Sequence, residues 1–201
     1  MKINTVVIGA GPGGYVAAIR LAQLGIETLV VEKEYFGGVC LNVGCIPSKA
    51  LIHAAKTYYK TINENSSMGI ITEGVSLDFP KVISWKDSVV KKLTTGIRGL
   101  LKGNKIQILE GTAEFSSKKS LLVTKKDGST ETVEFENCII ATGSSPTVIP
   151  GLEVDQDKVV DSSGALAFKA LPKSMAIVGG GYIGLELGMA YAKFGTKVTI
   201  V

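Results

Sequence analysis

An apolar run at the start of the chain leads into three glycines with the spacing Gly-x-Gly-x-x-Gly. The glycines are Gly9, Gly11 and Gly14, and residues 15–24 continue with a helical pattern. In such a turn the first glycine permits the sharp bend, the second lets a pyrophosphate approach the backbone, and the third lets the helix pack on the strand. The pattern therefore predicts a strand, a tight turn and a helix, with or without a bound ligand.

A second predicted strand, residues 27–31, ends in Glu32. A carboxylate at that position can accept hydrogen bonds from a ribose, so strand, helix and terminal acid in this order favour a dinucleotide site over a ligand-free turn. Besides the three glycines, the candidate contacts of this unit are Pro12, Gly13, Glu32 and Lys33.

The same unit returns without a gap 170 positions later, followed by a predicted helix over residues 185–194 and a strand over residues 196–201. Its candidate nucleotide contacts are Gly179, Gly181, Tyr182, Ile183 and Gly184. The offset places the counterpart of Glu32 at position 202. We therefore expect an acidic residue there, a chain that is part of a longer protein, and apolar surface with a strand edge exposed within residues 176–201.

Two cysteines, Cys40 and Cys45, lie in a glycine-containing stretch just before Pro47. Their spacing in a loop lets the sulfurs meet, and the proline suits the first turn of a following helix, whose positive end favours a thiolate at Cys45. The pair predicts a disulfide that is made and broken during turnover; a structural disulfide or a metal pair is the alternative. Neither Cys138, inside an apolar run, nor the single His53 completes a zinc site, so we expect no metal.

The remaining pattern predicts a helix over residues 47–61 and a helix over residues 80–101 capped by Asp78. A strand over residues 106–109 follows, then a hairpin of residues 120–124 and 131–135 around Asp127 and Gly128. The run from Cys138 is predicted to be a buried strand with Cys138 as a core residue, and residues 146–151 to be a linker.

These elements predict an α/β protein. Residues 1–148 form a Rossmann-like domain with an inserted β-meander, and residues 149–201 begin a second Rossmann-like domain. Two dinucleotide units with a dithiol between them suggest an electron path that ends on the disulfide. Because a flavin can exchange electrons with both a nicotinamide and a thiol, the first unit is expected to hold FAD and the second NAD or NADP.

The stretch Gly-Gly-Val-Cys40-Leu-Asn-Val-Gly-Cys45-Ile-Pro-Ser-Lys49 resembles the flavoprotein disulfide reductases, and among them most closely the dihydrolipoamide dehydrogenases. Further similarity lies in Asp161-Ser-Ser-Gly-Ala-Leu and in Gly179-Gly-Gly-Tyr-Ile-Gly-Leu-Glu186. One departure is Val39, where that family usually carries threonine.

Other classes of protein share part of this pattern. Glutathione and mercuric reductases have the same double-cysteine loop but usually differ at Leu41, Ile46 or Ser48. A flavin-binding module without catalysis also remains open. Enzymes of the thioredoxin reductase type carry their cysteines in the nicotinamide unit, which does not fit the order seen here.

The resemblance implies specific roles. Cys40 would exchange disulfides with substrate, Cys45 would face the flavin, and Lys49 would lie near the flavin paired with Glu186. Tyr182 would cover the nicotinamide side, although packing on a neighbouring helix is equally compatible with its position. Further implied FAD contacts are Gly38, Val39, Gly111, Thr112, Ala113, Ala141, Thr142, Gly143 and Ser144.

The resemblance also implies partners: dihydrolipoamide on the lipoyl domain of a 2-oxoacid dehydrogenase complex, NAD as acceptor, and a homodimer. The family's catalytic histidine comes from the partner subunit's C-terminal domain, and His53 does not match it, so the 201 residues alone are expected to be inactive.

The formal charge of +4 is dispersed, which argues against nucleic-acid binding. We recognise neither a signal peptide nor a membrane span in the sequence. A catalytic disulfide then fits the cytoplasm, or the mitochondrial matrix if a presequence has been removed.

Overall fold

The structure is a computed structural model that describes residues 1–201. It divides into two compact units. The first consists of Met1–Asn42 and Lys91–Ser145, and the second of Val43–Val90 and Pro146–Val201. The predicted division at residue 148 stays a prediction, because the two compact units are both discontinuous in the chain.

The first unit is built on a six-stranded sheet. The strands are Lys2–Ile8 (β1), Thr28–Glu32 (β2), Gln107–Glu110 (β3), Thr112–Ser117 (β4), Ser120–Thr124 (β5) and Thr130–Ile140 (β6). They lie in the order β3-β2-β1-β6-β5-β4. Strands β1, β2, β3 and β6 are parallel, whereas β4, β5 and β6 follow one another as antiparallel neighbours, which is the predicted meander.

Apolar strand residues form the core of this unit, since all of β2 is buried and β1 is buried from Thr5 to Val7. Parallel strands that are buried on both faces of a sheet have nearly continuous apolar sequences. Helix α1, Pro12–Gln23, begins directly after the glycine turn and buries Gly14 and Ala18. The predicted βαβ unit is thereby confirmed.

Helices follow the sheet's second strand. Helix α2 spans Gly38–Val43, α3 spans Cys45–Asn63, and a 3₁₀ turn covers Asn65–Met68. Helix α4, Phe79–Gly103, starts after Asp78, whose Oδ1 accepts a hydrogen bond from the Lys81 N–H at 3.1 Å. The predicted cap is therefore present.

The second unit packs α3 and the start of α4 against a short helix α5, Ser162–Ala165, and α6, Tyr182–Phe194. Strands β7, Ser174–Ile177, and β8, Lys197–Ile200, form a parallel pair. The core of this unit is aromatic and aliphatic: Leu51, Phe79, Leu187, Tyr191 and Phe194 are all buried in it.

Three sequence-based expectations need correction. The cysteine stretch is not a loop: Cys40 lies in α2, and α3 begins at Cys45, two residues before Pro47. The hairpin strand and the following apolar run form the single strand β6. Cys138 is only half-buried and Ile140 is exposed, so the end of that strand is less covered than predicted.

The segment Gly38–Asn63 is long and apolar enough to cross a membrane by length and composition, with a mean hydropathy of 1.2. A core helix meets the same criterion. The segment is also divided at Gly44, between α2 and α3, and α3 buries Ala50, Leu51 and Ala55. We therefore interpret α3 as a core helix of the second unit.

Candidate functional site

The carboxyl ends of four parallel strands meet at one edge of the first unit's sheet, where α/β proteins bind their ligands. Backbone hydrogen bonds join the segments that leave these strands. The N–H of Gly9 donates to Val31 O at 2.8 Å, that of Gly111 to Glu32 O at 2.9 Å, and that of Ala141 to Ile8 O at 2.8 Å. The structure thus brings together the predicted contacts that follow β1, β2, β3 and β6.

Glu32 is buried and its carboxylate is held by backbone N–H groups. Oε2 accepts from Ala10 at 2.7 Å, and Oε1 accepts from Glu34 at 2.7 Å and from Tyr35 at 3.0 Å. Three short charge-assisted bonds fix the carboxylate beside the glycine turn. Each carboxylate oxygen can accept more than one hydrogen bond, so acceptor capacity remains for a ribose hydroxyl.

Two glycines of the turn are required by close backbone contacts. A Cβ added to Gly9 would lie 2.3 Å from Ala141 O, and one added to Gly14 would lie 1.8 Å from Gly9 O. Gly9 also has a φ of +100°, which a side chain disfavours. These two positions therefore hold strand, turn and helix together.

The other two glycines of the turn leave room beside the helix. An added Cβ at Gly11 would meet only Gly38 Cα, at 3.6 Å, and one at Gly13 only Ala141 Cβ, at 4.0 Å. Helix α1 has no side-chain cap and Pro12 at its first position, so the positive end of its dipole is free of a capping side chain and suits a phosphate. The residues present fit a dinucleotide at this edge.

Further predicted contacts flank the same edge. Gly111 is buried and packs on the end of β5, since an added Cβ would lie 2.6 Å from Thr124 O. Beyond β6, Ala141 is half-buried and residues 142–144 are exposed. Among the predicted contacts in the first unit, the exposed residues are Pro12, Gly13, Lys33, Val39, Thr112, Thr142, Gly143 and Ser144.

The two predicted redox cysteines lie on consecutive helices. Cys40 is half-buried in α2, and Cys45 is the exposed first residue of α3. That position places Cys45 at the N-terminal, positive end of the dipole of a 19-residue helix. Cys138 differs, because burial raises the pKa of its thiol.

A group of residues around α2 was not singled out from the sequence. The Asn42 amide donates to Phe36 O at 3.0 Å and to Gly38 O at 2.9 Å. The Arg98 guanidinium lies 3.9 Å from the centre of the buried Phe36 ring and donates to Glu110 at 2.8 Å. That hydrogen bond holds the pKa of the Glu110 carboxyl below its usual range. In the sequence, an asparagine within a glycine-rich stretch was the signal that could have indicated this group.

The second glycine motif lies between β7 and α6. Gly181 caps α6 without a side-chain hydrogen bond, and no atom lies within 4 Å of a Cβ added to Gly179 or Gly181. A Cβ added to Gly184 would lie 2.6 Å from Gly179 O, and a Cβ added to its counterpart Gly14 would likewise lie too close to Gly9 O. Tyr182 is 76% exposed and Ile183 is also exposed, so neither packs into the core. This turn fits a second dinucleotide.

Lys49 and Glu186 meet within the second unit. Lys49 Nζ lies 2.6 Å from Oε1 and 2.7 Å from Oε2 of Glu186, and the two side chains are 60% and 33% exposed. The pair lies at a shallow cavity of about 240 Å³ that is also lined by Ile52, Met189 and Lys193. This ion pair thereby joins Lys49, which lies on α3 with Cys45, to α6, the helix that follows the second glycine motif.

No group of His, Cys, Asp and Glu side chains in the structure could hold a metal ion. The single histidine, His53, is exposed on α3 with its ring centre 6.2 Å from that of Trp85.

Comparison with known proteins gives a consistent family. The family profile described as pyridine nucleotide-disulphide oxidoreductase matches residues 3–201. Proteins named dihydrolipoyl dehydrogenase from Geobacillus stearothermophilus and Bacillus subtilis are 55% and 54% identical over the whole chain. A mitochondrial dihydrolipoyl dehydrogenase from Dictyostelium discoideum is 45% identical over 98% of the chain. The chain spans 42% of the length of the two bacterial relatives and 41% of the third.

Solved structures agree. The HOCl-induced flavoprotein disulfide reductase RclA of Escherichia coli, as its Cu(II) complex, superposes with a TM-score of 0.85 at 34% identity, over all of this chain and 42% of that one. LpdA of Mycobacterium tuberculosis gives a TM-score of 0.89 at 24% identity, over 98% of this chain and 44% of that one, which supports the fold alone.

Proposed function

Because this chain belongs to the pyridine nucleotide-disulphide oxidoreductase family, we propose that it is the dithiol- and flavin-bearing part of a dihydrolipoyl dehydrogenase. The supporting observation is that the whole chain, including the Cys40 and Cys45 helices, matches 42% of the length of proteins of that name at 53–55% identity. FAD and NAD are the proposed cofactors, and a lipoyl domain of a 2-oxoacid dehydrogenase complex is the proposed source of substrate.

The FAD site in this proposal is the carboxyl edge of the first unit. The N–H groups at the start of α1 would receive the pyrophosphate, and Glu32 would accept from the adenosine ribose. Residues 111–113 and 141–144 would line the adenine and pyrophosphate. The turn at Gly179, Gly181 and Gly184 would receive NAD in the same way.

The dithiol chemistry assigns a distinct role to each cysteine. A thiolate of the dihydrolipoyl group attacks Sγ of Cys40 in the Cys40–Cys45 disulfide, forms a mixed disulfide and releases Cys45 as a thiolate. The second thiol of the substrate then attacks the mixed disulfide, leaves as lipoyl disulfide and returns Cys40 as a thiol. The substrate has lost two electrons and the cysteine pair has gained them.

Bound flavin would take the two electrons from the dithiol and pass a hydride to NAD⁺. The resemblance gives Cys45 the flavin-facing role, and its side chain is exposed at the start of α3. Lys49, one turn further on the same helix, would supply positive charge near the flavin while Glu186 orients it.

The experiment is a substrate comparison on the full-length gene product loaded with FAD. Dihydrolipoamide with NAD⁺ should be turned over faster than glutathione disulfide or mercuric ion with NADPH, and Cys40→Ser and Cys45→Ser should each abolish that turnover. The matched control is Cys138→Ser, which should retain it because Cys138 is a half-buried strand residue. Faster reduction of glutathione disulfide or mercuric ion would contradict the proposal.

Cytoplasmic location and a homodimeric assembly belong to the same proposal. Both are supported by the resemblance to the dihydrolipoyl dehydrogenases. Size-exclusion chromatography with light scattering on the full-length product tests the dimer, and a monomer at micromolar concentration would contradict it.

A further inference from the structure

The segment between β2 and the end of α2 is tied to the first glycine turn by backbone contacts. The Gly37 N–H donates to Ala10 O at 2.8 Å. Gly38 lies so close to Gly11 that an added Cβ would be 2.5 Å from Gly11 Cα. Gly37 and Gly38 have φ values of +92° and +62°, which side chains disfavour. The start of the Cys40 helix is therefore built directly against the dinucleotide turn.

A single side chain closes this segment from the other end. The Asn42 amide has two N–H donors, and they reach Phe36 O at 3.0 Å and Gly38 O at 2.9 Å. One acceptor precedes the glycine pair and the other is the first residue of α2. The amide thus bridges the two sides of the left-handed glycine bend, with Cys40 between the bend and Asn42 in the chain.

The anchor beneath this bridge is Phe36. Its ring is buried and carries the Arg98 guanidinium 3.9 Å from its centre, while Arg98 also pairs with Glu110 at 2.8 Å. The Phe36 carbonyl is therefore fixed by a packed ring, and the Asn42 amide bonds to a rigid acceptor. A hydrogen bond to a mobile carbonyl would not fix the position of the Asn42 side chain.

We infer that Asn42 is a positioning residue, whose amide holds the Cys40 helix in register with the dinucleotide turn. The inference rests on the proposed function, in which that turn binds the flavin. Aspartate in its place has the same shape but no N–H donor, so it would face two carbonyl oxygens with a negative charge. Alanine removes both donors without adding charge.

The test measures thiol alkylation by mass spectrometry on the reduced protein. Asn42→Asp and Asn42→Ala should each raise the iodoacetamide rate at the half-buried Cys40 about tenfold, because two hydrogen bonds that resist opening of α2 are lost. Cys138, half-buried in β6, is the internal reference and should change by less than about twofold. Parallel acceleration at Cys138 would show general loosening, and an unchanged rate at Cys40 would also overturn the inference.

Asn104→Asp is the matched control variant. The Asn104 amide also donates to the carbonyl four residues earlier, Leu100 O, at 2.8 Å, but it is far in sequence from α2. It should leave the Cys40 rate unchanged. If both Asn42 variants fail to fold, amide exchange in the unsubstituted protein tests the Asn42 bridge instead. Protection at Gly37 and Leu41 well above that of residues 69–75 supports the bridge, and equally fast exchange overturns it.

The FAD-loaded full-length enzyme provides a separate readout. Asn42→Ala should lower kcat for dihydrolipoamide oxidation about tenfold with the KM for NAD⁺ unchanged, since it displaces Cys40 and not the second glycine motif. A protein that binds no flavin, or does not oxidise dihydrolipoamide, contradicts the proposed function. The alkylation result at Cys40 tests the Asn42 bridge independently of that outcome.

Discussion

The carboxylate of Glu32 accepts a hydrogen bond from the backbone N–H of Ala10 at 2.7 Å, which ties the end of β2 to the turn after β1. Its other oxygen accepts from Glu34 and Tyr35, so one side chain organises the segments that follow two neighbouring strands. A residue predicted as a ribose ligand is thus first a structural part of the site.

Glu32→Ala should destabilise the fold and weaken FAD binding together. Loss of three charge-assisted bonds to buried or half-buried N–H groups should cost about 2–4 kcal/mol in the free energy of unfolding, measured with urea. Glu27→Ala is the control, because the Glu27 carboxylate accepts only an exposed bond from Gln107 at 3.1 Å. Equal losses of stability in the two variants would contradict the role given to Glu32.

Alanine substitutions at two helical glycines should act in opposite directions. Gly14→Ala places a Cβ 1.8 Å from Gly9 O, a backbone atom that cannot move away, and should cost more than about 3 kcal/mol. Gly99→Ala, in α4, meets no atom within 4 Å and should stabilise the protein by about 0.5–1 kcal/mol. Thermal unfolding of both variants checks the pair, and a neutral Gly14→Ala would show that the turn is looser than described.

Several parts of the fold could be predicted from the sequence because their signals are local. The glycine turn, the Asp78 cap and the hairpin around Asp127 each depend on residues within a few positions of one another. The position of the candidate site at the carboxyl ends of the strands could also be predicted, because parallel strands bring these ends together. Local signals were sufficient at these points.

Other features depend on contacts between distant segments, and the sequence did not reveal them. Helix α2 replaces the expected loop because the Asn42 amide and the Gly37–Ala10 bond stabilise a short turn of helix. The stacking of Arg98 on Phe36 joins residues 62 positions apart and has no sequence pattern. The Lys49–Glu186 pair was expected only through the family resemblance.

Removing the Lys49–Glu186 pair should affect chemistry more than stability. Both side chains are partly exposed, and exposed ion pairs contribute less than about 1 kcal/mol, so Lys49→Met should barely change the urea midpoint. If Lys49 supplies charge near the flavin, kcat of the FAD-loaded full-length enzyme should fall about tenfold. Lys125→Met is the control, because Lys125 pairs with Glu131 at 2.8 Å in the hairpin and should change neither quantity appreciably. Unchanged turnover in Lys49→Met would exclude the proposed role.

The three cysteines should separate by reactivity. Burial raises the pKa of the Cys138 thiol, so at pH 8 it holds less thiolate than an ordinary cysteine and should be alkylated slowest. Cys45 is exposed at the start of α3 and should be alkylated fastest. On mild oxidation, peptide mapping should find a disulfide between Cys40 and Cys45, with Cys138 still alkylatable. A disulfide that includes Cys138 would contradict both assignments.

Tyr191 should make the stability of the second unit fall at alkaline pH. Its ring is fully buried between Phe79 and Phe168, its hydroxyl donates to Ala165 O, and burial raises the pKa of the phenol well above its usual range. The unfolded chain releases this proton near pH 10, whereas the folded protein retains it. The stabilisation is therefore complete below about pH 10 and is lost as the pH rises toward the folded-state pKa, by up to about 1.4 kcal/mol per pH unit.

Tyr191→Phe removes the ionisable group. Urea unfolding between pH 8 and pH 11 should show a variant that is less stable by about 1–3 kcal/mol at pH 8, because Ala165 O loses its donor, and whose stability falls less steeply above pH 10. Tyr59→Phe, at an exposed position on α3, is the control and should keep the alkaline slope of the unsubstituted protein. The same slope in Tyr191→Phe and in the unsubstituted protein would mean that Tyr191 ionises alike in the folded and unfolded states.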